Sequence, residues 1–554
     1  MSTKISITDL PANLIAFIYQ FLDGKDMFNA SCANNKMRKA LQQDYIYIEL
    51  TKRDHLFLPS EQDRFGSWKE HWTYLQQLKK NLAFGKPNIG YKMNPYRGHK
   101  TPINTLEVFK LKRSVDSVIV SGDQSGEVLT WNLEVDEDGD PVNTKDLIVQ
   151  AKSEIRGIKN LNEDSNMIVW TKDNEFYYYK VNMYKNVQKN SERFELVREF
   201  KIEDYDDPIK QLYYEKDSKI IYMSPDLSKI CKLHNVYSYD LKTFTLSKYT
   251  FSYNSSQTNL VSNNNQNNNL NNNHQIGWNQ FNNNNLFPIN PPVIQPLFHP
   301  HIPHHVPHNL SNQDRRVKKN NNFLVTGDNI VLYINYDPVK NSPISSYANA
   351  NALPNIFVFD KNKHIFDYYH IDLDFIFDIL PINSKEVAII GSQGTNKILL
   401  RVYSIQFFTL SREVTLKNNF HTLNDNFDVI YFNFPEMYFL INGKELKKIE
   451  NIGVKQMKVT NIATLKDVPN TTCIEADMFR IVIASDDLYM SIFDIKTGRM
   501  WFNLLGGSKT ITGKSFVKHP NFNGFHFIKV TRDAILSLIG NLIREYKFTF
   551  KYSK

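Results

Sequence analysis

The chain has 554 residues, with 66 Lys and Arg against 58 Asp and Glu, for a net charge of +8. So small an excess over so long a chain gives no reason to expect nucleic acid as a partner, and the length exceeds what one ordinary domain needs. Three cysteines, Cys32, Cys231 and Cys473, lie far apart with no CxxC pair; this excludes a disulfide framework and points to a reducing compartment, cytosol or nucleus.

No apolar run reaches the roughly 18 residues that a membrane span needs. The run 14–22 is broken by Gln20 and lacks a small-residue cleavage site, so neither secretion nor a membrane partner is expected. Within that run, Leu14, Ile15, Ile18, Phe21 and Leu22 fall at helical spacing. Pro11 suits the first turn, where its missing N–H costs nothing, and Thr8 or Asp9 is placed to cap it. Gly24 is expected to end this helix and Asp26 to cap a second, over 27–33. A third begins near Asn35 and carries Met37, Arg38 and Leu41. Helices this short enclose little interior, so much of their apolar surface needs a neighbour.

The order Leu10-Pro11, Leu14-Ile15, Ile18, Phe21-Leu22-Asp23, then Asp26, Ser31, Asn35 and Arg38 closely resembles an F-box over residues 5–50. The resemblance implies docking on the Skp-type adaptor of a cullin-based ubiquitin ligase. The adaptor-binding residues would be Leu10, Pro11, Leu14, Ile15, Ile18 and Leu22.

Residues 51–94 read as a linker. Its 46–58 approach is mixed in character, but Trp68, Trp72 and Leu75 share one helical face, and the tryptophans are expected to be core. From about Pro95 short strand-like runs alternate with turn residues, the pattern of a repeated all-β architecture. The clearest unit runs from Gly98-His99 through Ser121-Gly122-Asp123 to Trp131-Asn132, and it resembles a WD repeat. That family's hydrogen-bond relay would use His99, Ser121 and Trp131; with Ser125 at the expected turn aspartate, the relay reads as incomplete. The next clearest unit is 480–498, where Phe493-Asp494 stands for Trp-Asp, and Ile356-Phe-Val-Phe-Asp360 ends in the same way.

Seven or eight blade-sized units fit between Pro95 and Lys554, enough to close a ring and hide its sheet edges, with the terminal strands completing one blade together. The expected fold is a small all-α N-terminal unit and helical linker followed by an all-β propeller over 95–253 and 323–554. Between the halves, residues 254–322 are nearly all Asn, with Pro and His toward the end, and are expected to be disordered.

No chemistry stands out. The run His299, His301, His304, His305 and His308 has nothing to fix a metal geometry, and Arg315-Arg316-Val-Lys318-Lys319 reads as a solvated charge cluster. Gly506-Gly507-Ser508-Lys509-Thr510 lacks the first glycine of a phosphate loop. Asp206-Asp207 and Asp486-Asp487 read as turn formers. Arg156, Arg401, Arg480 and Arg532 are available to meet a phosphorylated segment, but the sequence does not bring them to one face. No catalytic residue, metal or cofactor is expected. Taken together the chain resembles an F-box/WD-repeat protein, a non-catalytic receptor holding an unknown protein target. The alternative is a propeller scaffold or trafficking protein outside any ligase.

Overall fold

The computed structural model describes residues 9–252 and 323–548, except 20, 23, 54–66, 85–91, 112–116, 136–140, 162–164, 185–188, 204–207, 226–232, 334–355, 364, 394–396, 421–425, 453–455, 467, 469–470, 486–487, 506–516, 518–523 and 532. The Asn-rich segment with its histidines and basic cluster, the 506–510 run, both Asp pairs, Thr8 and Arg532 therefore lie outside the described residues.

Among the described residues five α-helices come first: α1 (Ala12–Tyr19), α2 (Gly24–Ala33), α3 (Asn35–Ala40), α4 (Asp44–Arg53) and α5 (Trp68–Phe84). Pro11 sits at the first turn of α1, and its carbonyl accepts from the Leu14 and Ile15 amides at 3.0 and 3.1 Å. Two boundaries differ from expectation. Gly24 opens α2 rather than closing α1, because Phe21 and Leu22 already turn the chain back onto Ile18 and Tyr19. Asp26 thus lies within the first turn of α2, where its charge favours the helix dipole. Asn34 caps α3 by accepting from the Lys36 amide at 2.7 Å. The mixed stretch after Gln43 is α4, whose Ile46, Tyr47 and Leu50 fall on one buried face.

The described residues after these helices hold, besides one 3-10 turn at Asn190–Arg193, 32 strands in eight four-stranded antiparallel sheets. The blades run over 103–150, 155–201, 209–252, 323–369, 375–418, 427–464 and 471–505, numbered 1 to 7 in that order. Blade 8 takes Phe527–Val530, Ala534–Ile539 and Leu542–Lys547 from the C-terminal side and Lys92–Arg97 from the N-terminal side as its outermost strand. The fold is an eight-bladed β-propeller closed by its own two ends. Closure is firm: six residue pairs join 92–97 to 542–547, and Asn94 and Tyr96 both donate to Glu545, at 2.8 and 2.9 Å.

Between blades lie continuous apolar layers. Blades 8 and 1 share Tyr96, Ile103, Leu129, Trp131, Leu536 and Ile543, for example, all buried. The innermost strand of each blade leaves one edge unpaired around the axis, and buried unpaired carbonyls are costly. Neighbouring side chains supply the missing donors. Asn104 donates to Ile155 O at 3.1 Å, Asn160 to Val108 O at 3.3 Å and Tyr333 to Phe377 O at 3.2 Å. The His526 ring Nε2 lies 2.7 Å from Ile103 O. Gly157 is required by a close approach: a Cβ there would stand 2.0 Å from the Trp170 ring.

The relay of blade 1 is complete. Trp131 Nε1 donates to Ser121 Oγ at 2.7 Å, and that hydroxyl lies 2.7 Å from His99 Nε2. The other ring nitrogen of His99, Nδ1, lies 3.0 Å from Asp123 Oδ2. Asp123 fills the turn-aspartate role that the sequence reading looked for at Ser125. Its other oxygen accepts from the Ser125 amide and hydroxyl and from the Glu127 amide. Burial works to raise the Asp123 pKa, but the His99 hydrogen bond and charge, with the Thr101 and Ser125 hydroxyls, hold it below the usual carboxylate value. A depressed folded pKa contributes stability above the unfolded value and loses it as pH falls through the folded one. Asp123→Asn is therefore expected to lower the melting temperature at neutral pH, with the gap from wild type closing as pH drops below about 4. A pH-independent gap would show that the carboxylate charge is not what the relay uses.

The aspartate that ends a WD-type third strand recurs in other blades. Asp240, Asp360 and Asp494 each accept from the amides two and three residues on. Asp240 went unnoticed in the sequence because Tyr239 stands where Trp would.

Candidate docking surface

The innermost strand comes first in blades 1 to 7 and the outermost last. It follows that connections between blades, and from second to third strand, emerge on one face, here the upper. Connections from first to second and third to fourth strand emerge on the lower. The helical unit is fixed at the lower face. Helix α5 is the bridge: Trp68 and Trp72 pack on the helical core of Ile15, Tyr19, Met27, Met37, Ile46, Tyr47 and Leu50. Further along, Leu78 and Tyr74 pack into the layer between blades 7 and 8, with Val482, Phe525, Tyr546 and Phe548.

Arg480 sits at this junction, fully buried at the start of a blade 7 strand. Its Nη2 donates to Thr531 O at 2.6 Å and Ala534 O at 3.3 Å, its Nε lies 3.2 Å from Asp477 Oδ2, and its guanidinium stacks 4.8 Å from the Phe548 ring centre. Burial pushes its pKa down, while the charges of Asp477 and Asp533 and the Tyr74 side chain of α5 oppose that.

On α1 the apolar stripe divides between two faces. Ile15 and Tyr19 are each 1% exposed and belong to the helical core, and the Tyr19 hydroxyl donates to Met37 O at 3.2 Å. Leu10 and Leu22 are partly buried against the same core, and Ile18 is half-buried. Pro11 and Leu14 are exposed, Leu14 by 48%. Beside them stand Phe17 and Phe21, 54% and 71% exposed, with ring centres 5.3 Å apart in an edge-to-face pair. Phe21 belongs to the expected apolar stripe but not to the expected docking residues, and Phe17 belongs to neither. Spacing from Leu14 was the available signal, since Leu14, Phe17 and Phe21 stand at i, i+3 and i+7. The outward apolar face is thus Pro11, Leu14, Phe17 and Phe21, flanked by Ile18, while Ile15 supports it from behind.

The arginines do not converge. Arg480 is locked at the lower face. Arg401 is buried in blade 5, 2.5 Å from Glu413 and donating to Asp372 O at 2.7 Å. Arg156 is on blade 2, 3.6 Å from Glu154. Among the described residues His99, Asp123 and Glu127 come close enough to suggest a metal site, but the His99 and Asp123 atoms concerned are committed to the relay. No helix among the described residues is long and apolar enough to cross a membrane.

No family model matches the sequence, and no curated protein matches it. Several solved structures are similar to the chain. The Dos1 propeller shares 8% identity and a TM-score of 0.40, with 85% of this chain and 97% of that one covered. The WD40 β-propeller domain of Doa1 gives 9%, 0.36, 84% and 98%. Saccharomyces cerevisiae Sqt1 gives 9%, 0.40, 82% and 97%.

Proposed function

We propose that this protein is the substrate-recognition subunit of a Skp–cullin–F-box ubiquitin ligase, α1 docking on the Skp-type adaptor and the propeller holding the target protein. The observation that carries this reading is the outward face of α1. A helix whose inner residues already complete a core presents Leu14 and Phe17 to solvent, with Phe21 in the turn just past its end; contiguous exposed apolar side chains of this kind mark a contact surface. The F-box-like order of residues in the sequence supplies the identity of the partner.

The mechanism is proximity. The adaptor and, through it, the cullin hold a conjugating enzyme near the target, whose lysine receives ubiquitin from that enzyme at raised effective concentration. The chain contributes positioning and no catalytic group. Helix α5 gives the positioning its stiffness, because it is packed at one end on the docking unit and at the other on blades 7 and 8. The upper face, opposite that attachment, is left for the target. Ser252 and Phe323, the facing strand ends of blades 3 and 4, and Tyr333 and Ile356 of blade 4 all lie toward that face.

The test is co-purification of the full chain with the purified adaptor, beside Leu14→Ala/Ile18→Ala. The pair is expected to weaken binding at least tenfold while far-UV circular dichroism is unchanged. Adaptor retained at the wild-type level by the double variant would remove this docking face. Failure of the wild-type chain to bind would leave a propeller scaffold outside the ligase.

A further inference from the structure

Helix α5 belongs to two cores at once. Its first half is held by the helical unit. Trp68 and Trp72 pack on the core of Ile15, Met37 and Leu50, and the Trp72 ring centre lies 5.8 Å from that of Tyr47. Its second half is held by the ring, where Tyr74 and the buried Leu78 pack with Phe525, Ile535, Tyr546 and Phe548. Leu75, fully buried, stands between the two sets in sequence. The whole helix has 17 residues, and isolated helices shorter than about 12–15 residues are marginal in water. Each half is below that length, so its order depends on the other half continuing it.

The same end of the chain closes the ring. Blades 1 to 7 each take four consecutive strands, whereas blade 8 takes three and borrows its outermost from the N-terminal side. Only residues 85–91 separate α5 from that borrowed strand, Lys92–Arg97. N-terminal segments therefore hold Leu542–Lys547 in two ways. Its edge is paired by 92–97, and its Tyr546 lies in the layer that Leu78 helps to fill. Arg480 fastens blade 7 to blade 8 at the same junction, donating to Thr531 O and Ala534 O at 2.6 and 3.3 Å.

We propose that α5 and the strand 92–97 form a clamp that couples closure of the ring to the state of the helical unit. Loosening the core of Ile15, Tyr19 and Met37 opens the seam at blade 8, and anything that grips that core tightens the seam. The opening is confined to one part of the fold, as sub-global openings are. The coupling runs in both directions, because a coupling free energy between two sites is reciprocal. Nothing in this clamp depends on what the helical unit docks to.

The experiment is hydrogen exchange followed by mass spectrometry on the full chain. Ile15→Ala is expected to speed exchange about tenfold or more over residues 35–50 and about threefold or more over 92–97 and 542–547. Residues 356–360 in blade 4, opposite blade 8 in the ring, should be unchanged. Ile15→Val should show the same pattern at smaller amplitude, which keeps the test readable if Ile15→Ala does not fold. Leu78→Ala tests the reverse direction: exchange over 35–50 should rise, although Leu78 lies outside the helical core. Unchanged exchange at 92–97 and 542–547 in an Ile15 variant whose 35–50 segment exchanges faster would overturn the proposal. So would unchanged exchange at 35–50 in Leu78→Ala. A rise spread evenly over all eight blades would also overturn it, since that is unfolding of the whole chain and not a clamp.

Discussion

Replacing Arg480 with Ala is expected to cost about 3–5 kcal/mol, the range for removing one partner from a buried ionic network. The guanidinium serves the Thr531 and Ala534 carbonyls, Asp477 and the Phe548 ring at once, and all of these are left without it. Arg480 joins blade 7 to blade 8 beneath α5, so the loss should show in two places. The urea midpoint of the whole chain falls, and limited proteolysis separates the helical unit from the propeller earlier in the time course. Arg480→Met keeps much of the volume and removes the charge, so comparing the two isolates the hydrogen bonds from the packing. An unchanged midpoint in both variants would mean that the junction is held by the apolar layer alone.

The second large effect distinguishes two neighbours on α1. Ile15→Ala is expected to cost about 2–5 kcal/mol, the range for truncating a buried aliphatic side chain. Leu14→Ala should stay within roughly 0.5 kcal/mol, as exposed positions do. Both are expected to reduce adaptor binding, for different reasons. Ile15→Ala loosens a core of few residues, so helicity and protease resistance fall with binding, and Ile15→Val restores most of both. Leu14→Ala removes contact area and leaves the fold unaltered. If Ile15→Ala weakened binding with no loss of helicity or protease resistance, the inward placement of Ile15 would be wrong as an account of its role.

These neighbours show what the sequence could and could not convey. Helical spacing puts Leu14, Ile15 and Ile18 on one apolar stripe, but a short helix with apolar residues on much of its surface can bury either side. Only the packing of Met37, Tyr47 and Leu50 decides that Ile15 and Tyr19 turn inward. In the propeller, period-two alternation and the turn residues revealed strand pairs, and Gly98-His99 with Trp131 revealed one blade. Asp123 was misread because the relay was sought by its spacing in other repeats, whereas a side chain two residues earlier reaches the same imidazole. Blades 3, 5 and 6 were legible only as hairpins. Their layers rest on generic Val, Ile, Leu, Phe and Tyr, which suffice to fill space and leave no motif behind. The Arg480 junction had no local signal. It is made by segments far apart in sequence, and a charged residue in a strand reads as exposed until its neighbours are known.

The pairing of 92–97 with 542–547 ties the order of assembly to the order of synthesis. Asn94 waits for Glu545, 451 positions later. At translation rates of about 5–20 residues per second, that wait is on the order of half a minute to a minute and a half. Throughout it, the first β-strand made has no ladder to join. Leu78 of α5 also lacks Tyr546 and Phe548, so the inner side of that helix stays only partly covered, by blade 7, until the last blade leaves the ribosome. A chain that stops short of residue 542 keeps both surfaces open however well blades 1 to 7 have formed. Premature termination near the end should therefore yield a ring that is almost complete and yet sticky, a client for chaperones and proteases rather than a shortened working protein.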